Sequence, residues 1–265
     1  MTTKYVFFDI DGTLWDRERR IPDSTIRAIR QLRANGHKTF INTGRSRANT
    51  HAKSLEDLSF DGVVAACGNH VELNKRVLFE RLLTDEQVEK LIDILNDRRM
   101  PFLHEGPEFE WLNIEDFPDD PFAPTIWAEL GEQYRRRRET LQRPYRINKF
   151  TADYYPSGDP DREALHRLLD PEFGYIDHGG SCIEIIPKGS SKLDGIRFLQ
   201  QYLHIPEDDI YAFGDGANDL EMIQGAAHGI AMGGSAKELL SAAEYVTTDL
   251  WEDGIENGLR HYGLI

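Results

Sequence analysis

Short apolar runs that stop at polar, glycine-bearing turns recur near both ends of the chain. Val6-Phe7-Phe8 stops at Asp9-Ile10-Asp11-Gly12, Thr39-Phe40-Ile41 at Asn42-Thr43-Gly44-Arg45, and Val63-Val64-Ala65-Ala66 just before Gly68. Between them, residues 22–35 place Ile26, Ile29 and Leu32 on one side, with Pro22 near the start and Gly36 as a stop, which predicts a helix. Residues 46–58 predict another. Strands that alternate with helices imply a parallel sheet covered on both faces.

The alternation breaks near Leu82. Residues 84–98 read as a charged amphipathic helix, followed by Pro- and aromatic-rich sequence with acidic pairs at Glu115-Asp116 and Asp119-Asp120. A helix signal at 161–169 and strand-like runs at 175–176 and 183–186 complete a middle third that reads as an inserted α+β domain. After Pro187 the alternation returns, with a helix over 191–203 and a strand over 209–213 stopped by Gly214-Asp215-Gly216. A short helix over 219–225 and a buried strand over 229–232 follow. The fold class expected is therefore α/β, a parallel-sheet core with an inserted α+β domain. The expected divisions are core 1–82, insert 83–186 and core 187–265.

Charge and cysteine usage narrow the function. A formal charge of −15 on 265 residues argues against general affinity for nucleic-acid backbones, yet leaves room for a phosphorylated metabolite held by a cation and a few local bases. Cys67 and Cys182 are the only cysteines and form no spaced framework, as in a cytoplasmic protein without a zinc or redox cluster. No apolar run approaches the ~20 residues that span a bilayer. The expectation is a soluble, cytoplasmic protein with no membrane, nucleic-acid or protein partner implied.

Four strand ends carry polar residues, and in open parallel sheets ligands gather beyond the carboxyl ends of strands. Asp9-Ile10-Asp11-Gly12-Thr13 sets two carboxylates on one turn. One could attack phosphorus while the other handles protons. An Asp- and Gly-rich turn with no chemistry is the bland alternative. Gly214-Asp215-Gly216-Ala217-Asn218-Asp219 spaces carboxylates four apart at a strand-to-helix junction, which suits a hard cation or a helix cap. Thr43 with Gly44 offers a hydroxyl and backbone N–H groups for a phosphoryl oxygen, or a cap for the next helix. Lys192 begins a helix, at the end where the macrodipole disfavours a cation, so an anion nearby would repay the placement. Lys188 competes for that role, and a solvated surface lysine is the plain reading of either.

In this order the four clusters resemble the haloacid dehalogenase superfamily. Asp9-Ile10-Asp11-Gly12-Thr13 matches its nucleophile motif, Thr43-Gly44-Arg45 its second and Lys192 its third. Glu184-Ile185-Ile186-Pro187-Lys188-Gly189-Ser190-Ser191-Lys192 and the segment from Gly214 to Asp219 are similar to its Cof-like sugar-phosphatase branch. The resemblance implies a Rossmann-like core with a large α+β cap domain, Asp9 as nucleophile and Asp11 as general acid/base. It implies Mg2+ between the Asp9 carboxylate, the Asp11 backbone carbonyl and Asp215, with Asp219 beside it directly or through water. Thr43, Gly44 and Lys192 would hold the phosphoryl group, and Asn218 would orient the metal shell or the phosphate. Two turns depart from the branch pattern: Cys67-Gly68-Asn69-His70 stands where Asn-Gly-Ala is frequent, and Gly234-Ser235 where Asn-Ala is usual.

The implied reaction is hydrolysis of a small phosphomonoester, a sugar phosphate or similar metabolite, through an aspartyl-phosphate. A phosphotransferase or phosphomutase with the same nucleophile is the nearest rival, and a non-catalytic phosphometabolite-binding protein a more distant one. Within the insert, Arg135-Arg136-Arg137-Arg138 reads as a solvated helix face that balances the acidic stretch before it. Trp111 and Trp127 read as cap core, and His178 and Glu184 as possible substrate contacts.

Overall fold

A computed structural model describes residues 2–116, 121–154, 161–178 and 182–265. Asp119-Asp120 lies outside the described residues. The strands are β1 (Tyr5–Phe8), β2 (Lys38–Asn42), β3 (Gly62–Ala65), β4 (His70–Leu73), β5 (Arg76–Glu80), β6 (Phe102–Glu105), β7 (Glu110–Trp111), β8 (Arg135–Arg136), β9 (Lys149–Asp153), β10 (Phe173–Asp177), β11 (Cys182–Pro187), β12 (Ile210–Gly214), β13 (His228–Ala231) and β14 (Tyr245–Val246). Among the described residues they form two sheets, ordered β14-β13-β12-β1-β2-β3-β4-β5 and β10-β11-β9-β6-β7-β8. The chain divides into two compact units, one of residues 1–44, 52–79 and 191–265, the other of residues 45–51 and 80–190.

In the first unit the strands from β14 to β3 run parallel, and β4 turns back antiparallel on β3. β1 is buried on both faces, as a central parallel strand should be. The two-residue period sorts its side chains. Val6 and Phe8 pack with Ile41, Phe213 and Ile230 beneath the helices Asp23–Ala34 and Gly254–His261, through Ile29, Leu32, Ile255 and Leu259. Phe7 faces the other way, with Phe40, Ala212 and Ala231, against Ile196 and Leu199 of the helix Lys192–Leu203. Three layers result, with the sheet in the middle and the carboxyl ends of β1, β2 and β12 side by side.

The 46–58 helix expectation is corrected. A 3-10 turn over Arg47–Thr50 and a short helix over Lys53–Glu56 replace it, with Ser46 as the cap that accepts from the Asn49 N–H. The cap is therefore Ser46 and not Thr43.

In the second unit the sheet is antiparallel except for β7 beside β8. One face carries Phe102, Phe150, Ala152, Ile183 and Ile185 against Val88, Leu91 and Leu95 of the helix Asp85–Asp97 and Leu165 and Leu169 of the helix Arg162–Leu169. Thr84 and Gln87 form a reciprocal capping box at the first of these helices. Trp111 is buried in this cluster. Trp127 packs beside Leu103, Leu112 and Ala123.

The four arginines do not form a helix face. Arg135 and Arg136 are β8, and Arg138 opens a 3-10 turn over Arg138–Thr140. Each side chain takes a separate partner. Arg135 stacks on Trp127 at 4.8 Å, Arg136 on Phe109 at 3.8 Å, and Arg137 and Arg138 pair with Glu115 at 2.6 Å and Asp116 at 3.1 Å. The expected balance with the acidic stretch is present at these two pairs. Local preference favoured helix, but pairing of Arg135 and Arg136 with Glu110 and Trp111 sets the strand.

Candidate active site

Asp9 continues β1, and its N–H donates to the Phe213 carbonyl at 2.9 Å, so the loops after β1 and β12 leave the sheet together. The turn after β1 depends on Gly12, whose φ is +80°. A Cβ there would stand 2.1 Å from Asp215 Oδ2. Only glycine supplies both the left-handed backbone and the space. Thr13 Oγ1 donates to Asp215 Oδ1 at 2.7 Å, which ties this turn to the end of β12.

Lys192 is 1% exposed, and the anion its position called for is present. Its Nζ donates to Asp9 Oδ1 and to Asp219 Oδ1, each at 2.6 Å, and lies 3.4 Å from Asn218 Oδ1. The two carboxylates hold the Lys192 pKa well above its ordinary value and keep it charged. The other oxygen of Asp219, Oδ2, accepts the N–H groups of Asp215 at 3.0 Å and Gly216 at 2.9 Å. Asp219 thus shapes the turn that presents Asp215. Gly214 is required beside it, since a Cβ would lie 2.6–2.8 Å from Asp219 side-chain atoms.

Carboxylate oxygens of Asp9, Asp215 and Asp219 lie within 4.8 Å of one another. Burial first, then the charge of Asp219, pushes the Asp9 pKa well up against the pull of Lys192. Burial pushes Asp215 up to about 6, opposed by the Thr13 hydrogen bond. One ammonium among three gathered carboxylates leaves an excess of acceptors, and such a set of oxygen ligands fits a hard divalent cation.

Asp11 is exposed, and its Oδ1 accepts from Trp15 Nε1 at 2.9 Å, with Trp15 buried beneath. A pocket of about 570 Å³ opens beside Asp11 and Asp215, with Arg17 and Trp251 among its walls. Thr43 is buried at the end of β2. Its own N–H is not free, because it donates to the Val64 carbonyl at 2.9 Å. That corrects the expectation of a free N–H there and leaves the hydroxyl as the Thr43 group considered for an anion. Gly44 follows it, also buried.

The structure therefore gathers Asp9, Asp215, Asp219, Lys192 and Asn218 tightly. Trp15 is an addition to the set, since nothing but its proximity to Asp11 in sequence marks it, and Thr13, named only as part of the motif, gains a role through its bond to Asp215. Cys67 is buried and Cys182 half-buried, and no helix among the described residues is long and apolar enough to cross a membrane. Cys67 sits at φ +51°, a left-handed position where the Asn common in the branch would be at ease.

Comparison with known proteins agrees with this geometry. The haloacid dehalogenase-like hydrolase family model matches residues 6–259. A candidate phosphatase of Bacillus subtilis, YkrA, is 29% identical over 269 residues, covering all of both chains. A solved structure of a hypothetical protein from Geobacillus kaustophilus is 30% identical, with a TM-score of 0.84 over all of both chains. A subclass IIB sugar phosphatase of the superfamily is 27% identical, with a TM-score of 0.82 over 99% of this chain and 100% of that one. A family match over nearly the whole length, on a chain whose strand ends bring those acidic residues and Lys192 together, places the chain among the haloacid dehalogenase-like hydrolases, as a Cof-like hydrolase of phosphoric monoesters.

Proposed function

We propose that the chain is a Mg2+-dependent phosphatase that hydrolyses a small phosphomonoester, a sugar phosphate or similar metabolite, through a phosphate carried on Asp9. The observation that carries this reading is the buried contact of Lys192 with Asp9 and Asp219 next to Asp215. An Asp9 oxygen attacks phosphorus as the bond to the leaving oxygen breaks, and Asp11 supplies that oxygen with a proton. Asp11 then takes a proton from water, which attacks phosphorus, breaks the bond to Asp9 and releases inorganic phosphate. The exposed position of Asp11, fixed by Trp15, suits a group that must reach both a leaving oxygen and water.

Asp9, Asp215 and the Asp11 carbonyl would hold Mg2+. The bound ion offsets the repulsion between an anionic nucleophile and an anionic phosphate. Asp219 has both oxygens engaged, one with Lys192 and one with two N–H groups, so we assign it to positioning Lys192 and the Asp215 turn. Lys192, Asn218 and the Thr43 hydroxyl, with Gly44 beside it, would take the phosphoryl oxygens. The inserted α+β unit would act as the cap and select the leaving group.

The test is phosphate release from sugar phosphates, nucleotides and an aryl phosphate, with and without Mg2+, for the native protein and Asp9→Asn. The reading expects Mg2+-dependent release that falls at least a thousandfold in the variant while its circular dichroism is unchanged. Release that is indifferent to Mg2+, or native-like turnover by Asp9→Asn, would overturn it.

A further inference from the structure

The sheet of the first unit ends differently on its two sides. On one side β14 is two residues long, a short edge that gives another chain little to pair with. On the other side β5 runs five residues, Arg76-Val77-Leu78-Phe79-Glu80, without a proline. Among the described residues no strand pairs with its outer edge, and no turn or loop backbone bond reaches residues 76–79.

Apolar side chains crowd the same end of the sheet. Of the six large hydrophobic side chains exposed among the described residues, three lie here: Val77 at 50%, Phe79 at 36% and Tyr202 at 51%. The Phe79 ring meets Phe198 at 5.3 Å, and Phe198 stacks on Tyr202 at 6.3 Å, both on the helix Lys192–Leu203. A free strand edge beside bare aromatic rings is the kind of surface that an added strand covers.

Charge picks out the occupant. We infer that this edge binds the same edge of a second copy of the chain, β5 antiparallel to β5 about a two-fold axis at Leu78, so that the two sheets join into one. A two-fold axis normal to the sheet keeps each side chain on its own face, so the strands can shift past one another only in steps that preserve the faces. With Leu78 opposite its own copy, Val77 of each chain faces Phe79 of the other, and Arg76 of each faces Glu80 of the other. The neighbouring registers lose both charge pairs: one sets Glu80 against Asn74 and Arg76 against Leu78, the other sets Glu80 against Leu78 and Arg76 against Leu82. Opposite charges, and an aromatic ring beside a β-branched residue, are favourable cross-strand pairs. Arg76 is exposed and makes no hydrogen bond or ion pair among the described residues. Alone it would guard the edge against pairing, but Glu80 at the other end of the strand makes the edge a match for itself. Glu80 already accepts from Arg146 at 2.7 Å, so the arriving Arg76 would complete an Arg–Glu–Arg row at the rim.

The test is analytical ultracentrifugation of the full-length protein from about 1 to about 100 µM, a range that fills a micromolar interface. The inference expects dimers. Arg76→Glu sets like charges opposite each other at both ends of the pairing and should weaken dimerisation at least tenfold, with an unchanged circular dichroism spectrum. Mixing Arg76→Glu with Glu80→Arg should restore it, because both pairs in the mixed dimer again join opposite charges. Leu78→Cys checks the register. Directly opposite antiparallel residues lie within disulfide reach, so mild oxidation should link this variant into dimers far faster than the native chain, which has Cys67 and Cys182 alone. Should Glu80→Arg fail to fold for want of its bond to Arg146, Arg76→Glu and the cysteine variant decide the matter. A monomer across the whole range, a dimer indifferent to Arg76→Glu, folded variants that do not recover on mixing, or dimers that Leu78→Cys does not link would each overturn the inference. The phosphatase reading stands or falls separately.

Discussion

Lys192 sits between two carboxylates out of water, so its removal leaves a repelling, uncompensated pair. Breaking a buried ion pair costs about 3–5 kcal/mol. Lys192→Met is therefore expected to lose stability of that order in urea unfolding without Mg2+, and to lose turnover at least a hundredfold. A change below about 1 kcal/mol would mean that the contacts to Asp9 and Asp219 carry little energy. Gly12 provides a second residue-scale test. An alanine there must adopt φ +80° and place a methyl group against the Asp215 carboxylate. Gly12→Ala should retain the fold but raise the Mg2+ concentration needed for half-maximal activity at least tenfold, and an unchanged titration would contradict that. Asp9 and Asp215 stood out in sequence because each directly follows a strand, and Asp11 and Asp219 because they share those turns. Asp219 was legible as a ligand candidate, but its engagement with Lys192 and two N–H groups depends on the exact turn and was not. Likewise the commitment of the Thr43 N–H to Val64 arises from a strand 21 residues further on.

At the scale of elements, Glu105, Glu110, Lys149 and Glu184 form a polar row across β6, β7, β9 and β11, and the row predicts a pH response. Glu110 is buried and accepts a hydrogen bond from Ser46 Oγ. Burial pushes the Glu110 pKa up to about 8 from its ordinary value of 4.5. The native state then holds a proton that the unfolded state releases, so stability falls as pH rises from about 4.5 to 8 and the loss is complete above that. The total is on the order of 5 kcal/mol. Glu110→Gln keeps an acceptor for Ser46 and cannot ionise, so chemical unfolding at pH 5 and pH 8 should show a smaller drop in the variant than in the native protein. Equal drops would place the titration elsewhere. The strands β1, β2, β3, β12 and β13 and the helices Asp23–Ala34 and Lys192–Leu203 were legible because short apolar runs and 3.6-residue periodicity are local signals, whereas β4, β5 and the helix Gly254–His261 were not expected and the 46–58 helix was misread. The arginine run was misread for the opposite reason: β8 exists through pairing with Glu110 and Trp111, about 25 residues away. The charged row was invisible as a unit, since its members are scattered from 105 to 184 and only register aligns them. His178 and Glu184 were marked singly, and the structure joins them to Lys149.

For the whole molecule, the gathered carboxylates link metal binding to stability. A ligand that binds the native state alone stabilises it by about 2.7 kcal/mol at a hundredfold excess over its dissociation constant. For a chain of this size that corresponds to a rise in Tm of roughly 5 °C or more. Saturating Mg2+ should produce such a rise in the native protein and little in Asp215→Asn, by differential scanning fluorimetry, and a rise of equal size in both would remove Asp215 as a ligand. The break of the alternating pattern near Leu82 and its return after Pro187 are what led to the expectation of an inserted domain. The central claim is phosphoryl transfer to Asp9, and the most direct measurement is acid-quench trapping of radiolabelled phosphate on Asp11→Asn given an aryl phosphate. An aryl leaving group needs no proton, so transfer to Asp9 should proceed, while the missing base should slow release by water. The account predicts one hydroxylamine-sensitive label per chain in the peptide containing Asp9, absent when Asp9→Asn is added. A stoichiometric burst of the aryl alcohol with no label on that peptide, or label that survives Asp9→Asn, would contradict it.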